Sequence, residues 1–173
     1  MITADWSLPA LVMLPLLAGL WCFLAPGTAR TTGIVASFAL LLLTARIAYQ
    51  VLLEGVLEQH VGHWAPPLGI GLRLDGVGAT MLLMTATVAT AISVYAARYY
   101  PATAARSFWP LWLFLLASMA ALFLSRDLFN LYVTLELLGI AAVALTALGG
   151  GATALAAAAR YLLASLCGSL CYL

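Results

Sequence analysis

Glu136 is the residue of this chain best suited to chemistry. It lies in Leu128-Phe129-Asn130-Leu131-Tyr132-Val133-Thr134-Leu135-Glu136-Leu137-Leu138-Gly139-Ile140, and no other residue between Asp127 and Arg160 is charged. A carboxyl group in so apolar a run must be protonated, paired or in contact with water, because an ionised acid near a bilayer midplane costs several kcal/mol. Withdrawal from water favours the neutral acid and a nearby cation favours the ionised one, so a group held between the two can gain and lose a proton. Glu136 is therefore a candidate proton carrier. On a helix, Tyr132 and Gly139 stand four before and three after it and share its face. The Tyr132 hydroxyl could hydrogen-bond the carboxylate, and the missing side chain at Gly139 leaves room for water or a second helix. The competing reading is a permanently neutral acid that makes a packing hydrogen bond between helices.

The cations that could tune Glu136 are Arg160 and Arg46. All seven basic residues are arginines, at positions 30, 46, 73, 98, 106, 126 and 160. The chain has no lysine, and thus lacks the basic side chain whose charge is most readily lost on burial. Arg160 lies about nine residues, or roughly 13 Å, beyond the Gly149-Gly150-Gly151 turn, and Glu136 about thirteen residues, or roughly 20 Å, before it. The two depths differ by about one turn, so the pair is feasible if the flanking spans pack side by side. Arg160 would then tune the acid without relaying its proton. Arg46, well inside an apolar segment, is expected to snorkel outward.

The remaining candidates read as structural. His60 and His63, three apart, fall in a polar connection with Pro66 and Pro67 close behind, which points to a solvated loop. Cys22, Cys167 and Cys171 sit in apolar segments as small hydrophobes, and two thiols one turn apart lack the further ligands that zinc needs. No disulfide, metal site or cofactor is expected. No cysteine cluster for iron–sulfur ligation and no glycine-rich phosphate loop beside a strand is present, so no catalytic redox site belongs to this chain.

The elements that hold these residues must be membrane helices. Of the 173 residues 65% are hydrophobic and 8% charged, and the mean hydropathy is +1.11, against about 25% charged residues in soluble domains. Helices satisfy their own backbone in lipid, and runs such as Phe38 to Leu43 lack the alternation of a β-barrel. The expected fold is an all-α polytopic membrane protein with one membrane domain. Its spans cover about residues 8–25, 32–53, 76–97, 108–124, 128–148 and 154–173. The first has no basic residue before it and is kept as a span rather than a cleaved signal peptide. A polar loop occupies residues 54–75, and its alternating Gly69 to Asp75 stretch predicts a short extended or hairpin segment on the membrane surface. Arg30, Arg98 and Arg106 fall in the loops after spans one and three, and Arg73 and Arg126 on the opposite side, each near an Asp. The arginine balance therefore places the amino terminus outside.

Three stretches carry a family resemblance: Leu72-Arg73-Leu74-Asp75-Gly76-Val77-Gly78-Ala79 with Met81-Leu82-Leu83-Met84, then Ser125 to Leu138, and Ala159-Arg160-Tyr161-Leu162-Leu163. They resemble the proton-translocating antiporter-like subunits, the family of the large membrane subunits of respiratory complex I, membrane-bound hydrogenases and multisubunit (Mrp) cation/proton antiporters. Asp127-Leu128-Phe129-Asn130-Leu131 and the glycine turn look closest to the Mrp D-type subunit. The resemblance covers essentially the whole chain but only the amino-terminal part of a family member, so an incomplete antiporter-like fold is expected, from a truncated frame or a fragment.

The resemblance implies that Glu136 matches a fifth-span glutamate that pairs with a lysine in a seventh span, and that Arg160 precedes the sixth-span Tyr. It implies proton translocation coupled to monovalent cation exchange or to NADH–quinone or hydrogenase electron transfer. The implied partners are other membrane subunits, the lipid bilayer, and protons with or without sodium, in a bacterial cell (inner) membrane. No nucleic-acid partner is expected. The alternatives are a structural subunit or non-functional remnant, and a small-solute transporter, disfavoured by how few binding groups the spans contain.

Overall fold

The computed structural model describes residues 6–60 and 70–172. The chain forms α1 (Ser7–Leu24), α2 (Ala29–Glu54), β1 (Leu57–His60), β2 (Gly71–Leu74), α3 (Gly76–Tyr99), α4 (Ala102–Leu124), α5 (Leu128–Ala147) and α6 (Gly151–Tyr172). All six helices are long and apolar enough to cross a membrane, since about 20 residues at 1.5 Å each match a hydrocarbon core of about 30 Å. This is an integral membrane protein.

Helix α4 is the hub. It packs against α1, α2, α3 and α5, whereas α6 packs on α5 alone among its stronger contacts. Small residues on α2 permit the closest approach, for a Cβ at Gly33 would lie 2.0 Å from the ring of Trp109, which is fully buried. A buried hydrogen-bond cluster joins α2, α3 and α4. Ser37 and Ser93 hydroxyls lie 2.7 Å apart, Trp112 Nε1 donates to Ser93 Oγ at 2.9 Å, and Thr90 Oγ1 lies 3.2 Å from the Ser37 carbonyl. Such bonds hold helices together in lipid, where no hydrophobic force separates helix from solvent.

Helix α4 starts at Ala102, six residues before the expected Phe108. Pro101 is the N-cap residue, with extended backbone (φ −64°, ψ 161°), and the helix formers Ala102, Ala104 and Ala105 make the first turn. Arg106 therefore lies in the helix and not in a loop. At this face Arg30 Nη2 donates to the Tyr100 carbonyl at 3.0 Å, tying the start of α2 to the α3–α4 connection. Tyr95, Tyr99, Tyr100 and Phe108 contact one another in a row, with centroids 4.4–5.4 Å apart, stacked except for the edge-on Tyr99–Tyr100 pair, as an aromatic belt does at an interface. Arg46 is exposed on α2 and meets no acid among the described residues.

The segment after α2 is a two-stranded antiparallel hairpin, with Leu57 opposite Leu74 and Glu58 opposite Arg73. Gly55, at φ 85°, turns the chain out of α2. Leu72 and Leu74 point into the bundle while Arg73 points out, which is the alternation the sequence carries. His60 lies exposed on β1; His63, Pro66 and Pro67 fall outside the described residues.

Candidate functional site

Helix α5 begins where the hairpin docks. Arg126 N–H donates to the Gly71 carbonyl at 3.3 Å, and Arg126 Nη1 lies 3.0 Å from Glu58 Oε2. Asp127 then caps α5, its carboxylate accepting from Asn130 N–H at 2.7 Å, which satisfies one of the four free amides at the helix start. Glu136 follows eight residues after Leu128, about 12 Å into a helix about 30 Å long. That depth is close to the middle of the span.

The Glu136 carboxyl faces α6. Its Oε1 accepts a hydrogen bond from Ser169 Oγ, and among the described residues Ser169 is its hydrogen-bond partner. One turn along the same seam, a Cβ at Gly139 would lie 2.7 Å from Ser165 Oγ, so the room left by that glycine is taken by the neighbouring helix. Gly139 is buried and Glu136 half-buried. Ser165 and Ser169, four apart on α6, thus meet Gly139 and Glu136, three apart on α5, in an antiparallel register.

Neither of the expected neighbours bonds the acid. Tyr132 is half-buried on the same face of α5, one turn from Glu136, but forms no hydrogen bond with it. Arg160 is exposed and makes no ion pair with Glu136. It stands nine residues from Ser169, which is about 13 Å along the axis and two and a half turns around it. Arg160 therefore points away from the side of α6 that meets α5. Counting depth from the glycine turn missed this because depth carries no information about which side of the helix a residue occupies. Ser169 escaped the sequence reading because a serine in an apolar helix is commonplace. The available signal was the spacing of Ala158, Leu162, Ser165 and Ser169, the less exposed stripe of α6.

On the other flank of α5, a cleft of about 390 Å³ opens between α1, α4 and α5, bordered by Leu16, Phe114, Leu137 and Ile140, with Ser118 its single hydroxyl-bearing residue. It offers no charged group.

No protein-family profile matches the chain. Curated proteins do. It is 28% identical, over 94% of its length, to the D-type component of the Na(+)/H(+) antiporter of Alkalihalophilus pseudofirmus, and spans 34% of that protein. It is 33% identical over 83% of its length to the D-type component of a probable K(+)/H(+) antiporter of Rhizobium meliloti, covering 26% of it. It is also 37% identical over 66% of its length to the N-type component of NADH-quinone oxidoreductase of Desulforudis audaxviator, covering 23% of it. Among solved structures it superposes on a chain of the membrane-bound sulfane sulfur reductase, an archaeal respiratory membrane complex. The TM-score is 0.84 and the identity 25%, over 94% of this chain and 34% of that one. The chain thus spans about a third or less of these relatives, all of them subunits of larger membrane assemblies. Motifs, six-helix fold and relatives agree: over nearly its whole length the chain belongs to the family of antiporter-like membrane subunits that includes the D-type antiporter components and the N-type component of NADH-quinone oxidoreductase.

Proposed function

We propose that this chain is the amino-terminal portion of a proton-translocating antiporter-like subunit and that Glu136 is its proton carrier. The observation that carries the reading is a lone carboxyl at mid-span, turned onto a hydroxyl of the adjacent helix and not onto a fixed cation. A permanent ion pair would hold the acid ionised, and a purely apolar pocket would hold it neutral. A hydroxyl partner does neither. Tyr132, one turn away on the same face, supplies a second polar group toward the hairpin side. Arg160 faces away from the acid.

The chain contains no lysine, so the basic partner that the family resemblance implies is not among these 173 residues. Proton movement is coupled to exchange of a monovalent cation, sodium or potassium, or to electron transfer in a respiratory complex. The protein works among other membrane subunits in a bacterial cell membrane, with its amino terminus and hairpin outside, as the arginine distribution favours.

The test is Glu136→Gln in the assembled complex reconstituted into vesicles, with proton and sodium flux measured. Loss of a positioned proton-transfer group is expected to lower flux by about 10²-fold or more. Flux equal to wild type would make Glu136 a neutral packing acid and the chain a structural subunit.

A further inference from the structure

Resting on the reading of Glu136 as a proton carrier, we infer that Ser169 is the positioning residue that lets this carboxyl keep a hydrogen bond in both of its protonation states. Ser169 Oγ bonds Glu136 Oε1 and also lies 3.1 Å from the Leu166 carbonyl oxygen, three residues back on its own helix. A serine hydroxyl has one hydrogen and two lone pairs, and the hydrogen rotates to suit its surroundings. When Glu136 is ionised, Ser169 donates to it. When Glu136 is neutral, the carboxyl O–H donates to Ser169 Oγ and the serine hydrogen turns to Leu166.

Both arrangements use the same oxygen atoms and differ in where the hydroxyl hydrogens point. Neither state leaves the contact without a hydrogen bond in an environment where an unpaired polar group is costly. The proton gained or lost is Glu136's own, and no covalent bond of Ser169 breaks. An arginine in the same place would favour the ionised acid alone, and an alanine would offer a partner to neither. The close seam between Gly139 and Ser165, one turn away, brings Ser169 within reach.

The contact is tested in the chain itself, reconstituted in lipid, by infrared spectroscopy of the neutral carboxyl. The Glu136 band is assigned by its loss in Glu136→Gln. Ser169→Ala should move that band to higher wavenumber, and Ser169→Thr should return it. In the assembled complex Ser169→Ala should slow proton flux about tenfold, equivalent to about 1.4 kcal/mol of barrier, with Ser169→Thr recovering most of it. A band unmoved in Ser169→Ala overturns the inference, as does a moved band with unchanged flux, which would leave the hydroxyl a packing contact. The two proposals fail separately. A moved band with flux insensitive to Glu136→Gln removes the transport reading, whereas an unmoved band with flux abolished by Glu136→Gln removes the role of Ser169 alone.

Discussion

Replacing Gly33 with alanine tests the packing that joins α2 to the central helix, and the same change at Gly139 serves as its control. At Gly33 the new Cβ would sit 2.0 Å from Cε3 of Trp109, 2.6 Å from Cζ3 and 2.7 Å from Cδ2. Trp109 is 0% exposed, and a rigid bicyclic ring packed on every side has no rotamer that clears three contacts at once. Relief requires α2 and α4 to part by about 1 Å, at an overpacking cost near the upper end of about 1–3 kcal/mol. Alanine returns up to about 1 kcal/mol through helix propensity, which leaves a net loss of about 2 kcal/mol. At Gly139 the obstacle is one serine Oγ at 2.7 Å, with its Cβ at 3.8 Å. A turn about χ1 removes that clash for about 1 kcal/mol or less, so propensity cancels it and Gly139→Ala is near neutral. The assay is reversible unfolding in mixed micelles with a rising fraction of dodecyl sulfate, followed by far-ultraviolet circular dichroism. Wild-type stability in Gly33→Ala, or equal losses in the two variants, would refute the reasoning.

Two further substitutions probe the supports of the site. Ser93→Ala removes the partner shared by Ser37 and Trp112 and strands a buried indole N–H. Interhelical bonds in membranes average about 0.6 kcal/mol, with a maximum of about 1.7, so a loss of about 1–2 kcal/mol is expected by the same unfolding assay; an unchanged midpoint would show the cluster to be energetically idle. Asp127→Ala deletes the cap of α5 and should cost about 1 kcal/mol, with faster amide exchange at Asn130 and recovery in Asp127→Asn. Unaltered exchange at that amide would mean another acceptor takes over.

Much of the architecture was legible because membrane insertion is written locally. Each apolar run is long enough to span on its own, and Gly150 and Gly151, at φ 72° and 79°, form the turn that their residue type predicts. The alternation of Leu72, Arg73 and Leu74 announced an extended segment. Its strand partner at Leu57–His60 and its seat on Ser125 and Arg126 were not readable, since strand pairing and docking join residues distant in sequence. The start of α4 was misjudged because hydropathy weighs the apolar core of a helix and ignores the Pro101 cap and the alanines of its first turn.

The sequence by itself determined the solvent this protein lives in, the six apolar helices found among the described residues, and the lone carboxyl in the middle of α5. Those depend on side-chain polarity and on a rise of about 1.5 Å per residue, both properties of single segments. The company of Glu136 was decided only in three dimensions. Each residue turns a helix by about 100°, so a candidate partner at a plausible depth can still face the wrong way, as Arg160 does. The rotation of α6 that sets Ser165 against Gly139 also brings Ser169 to the acid.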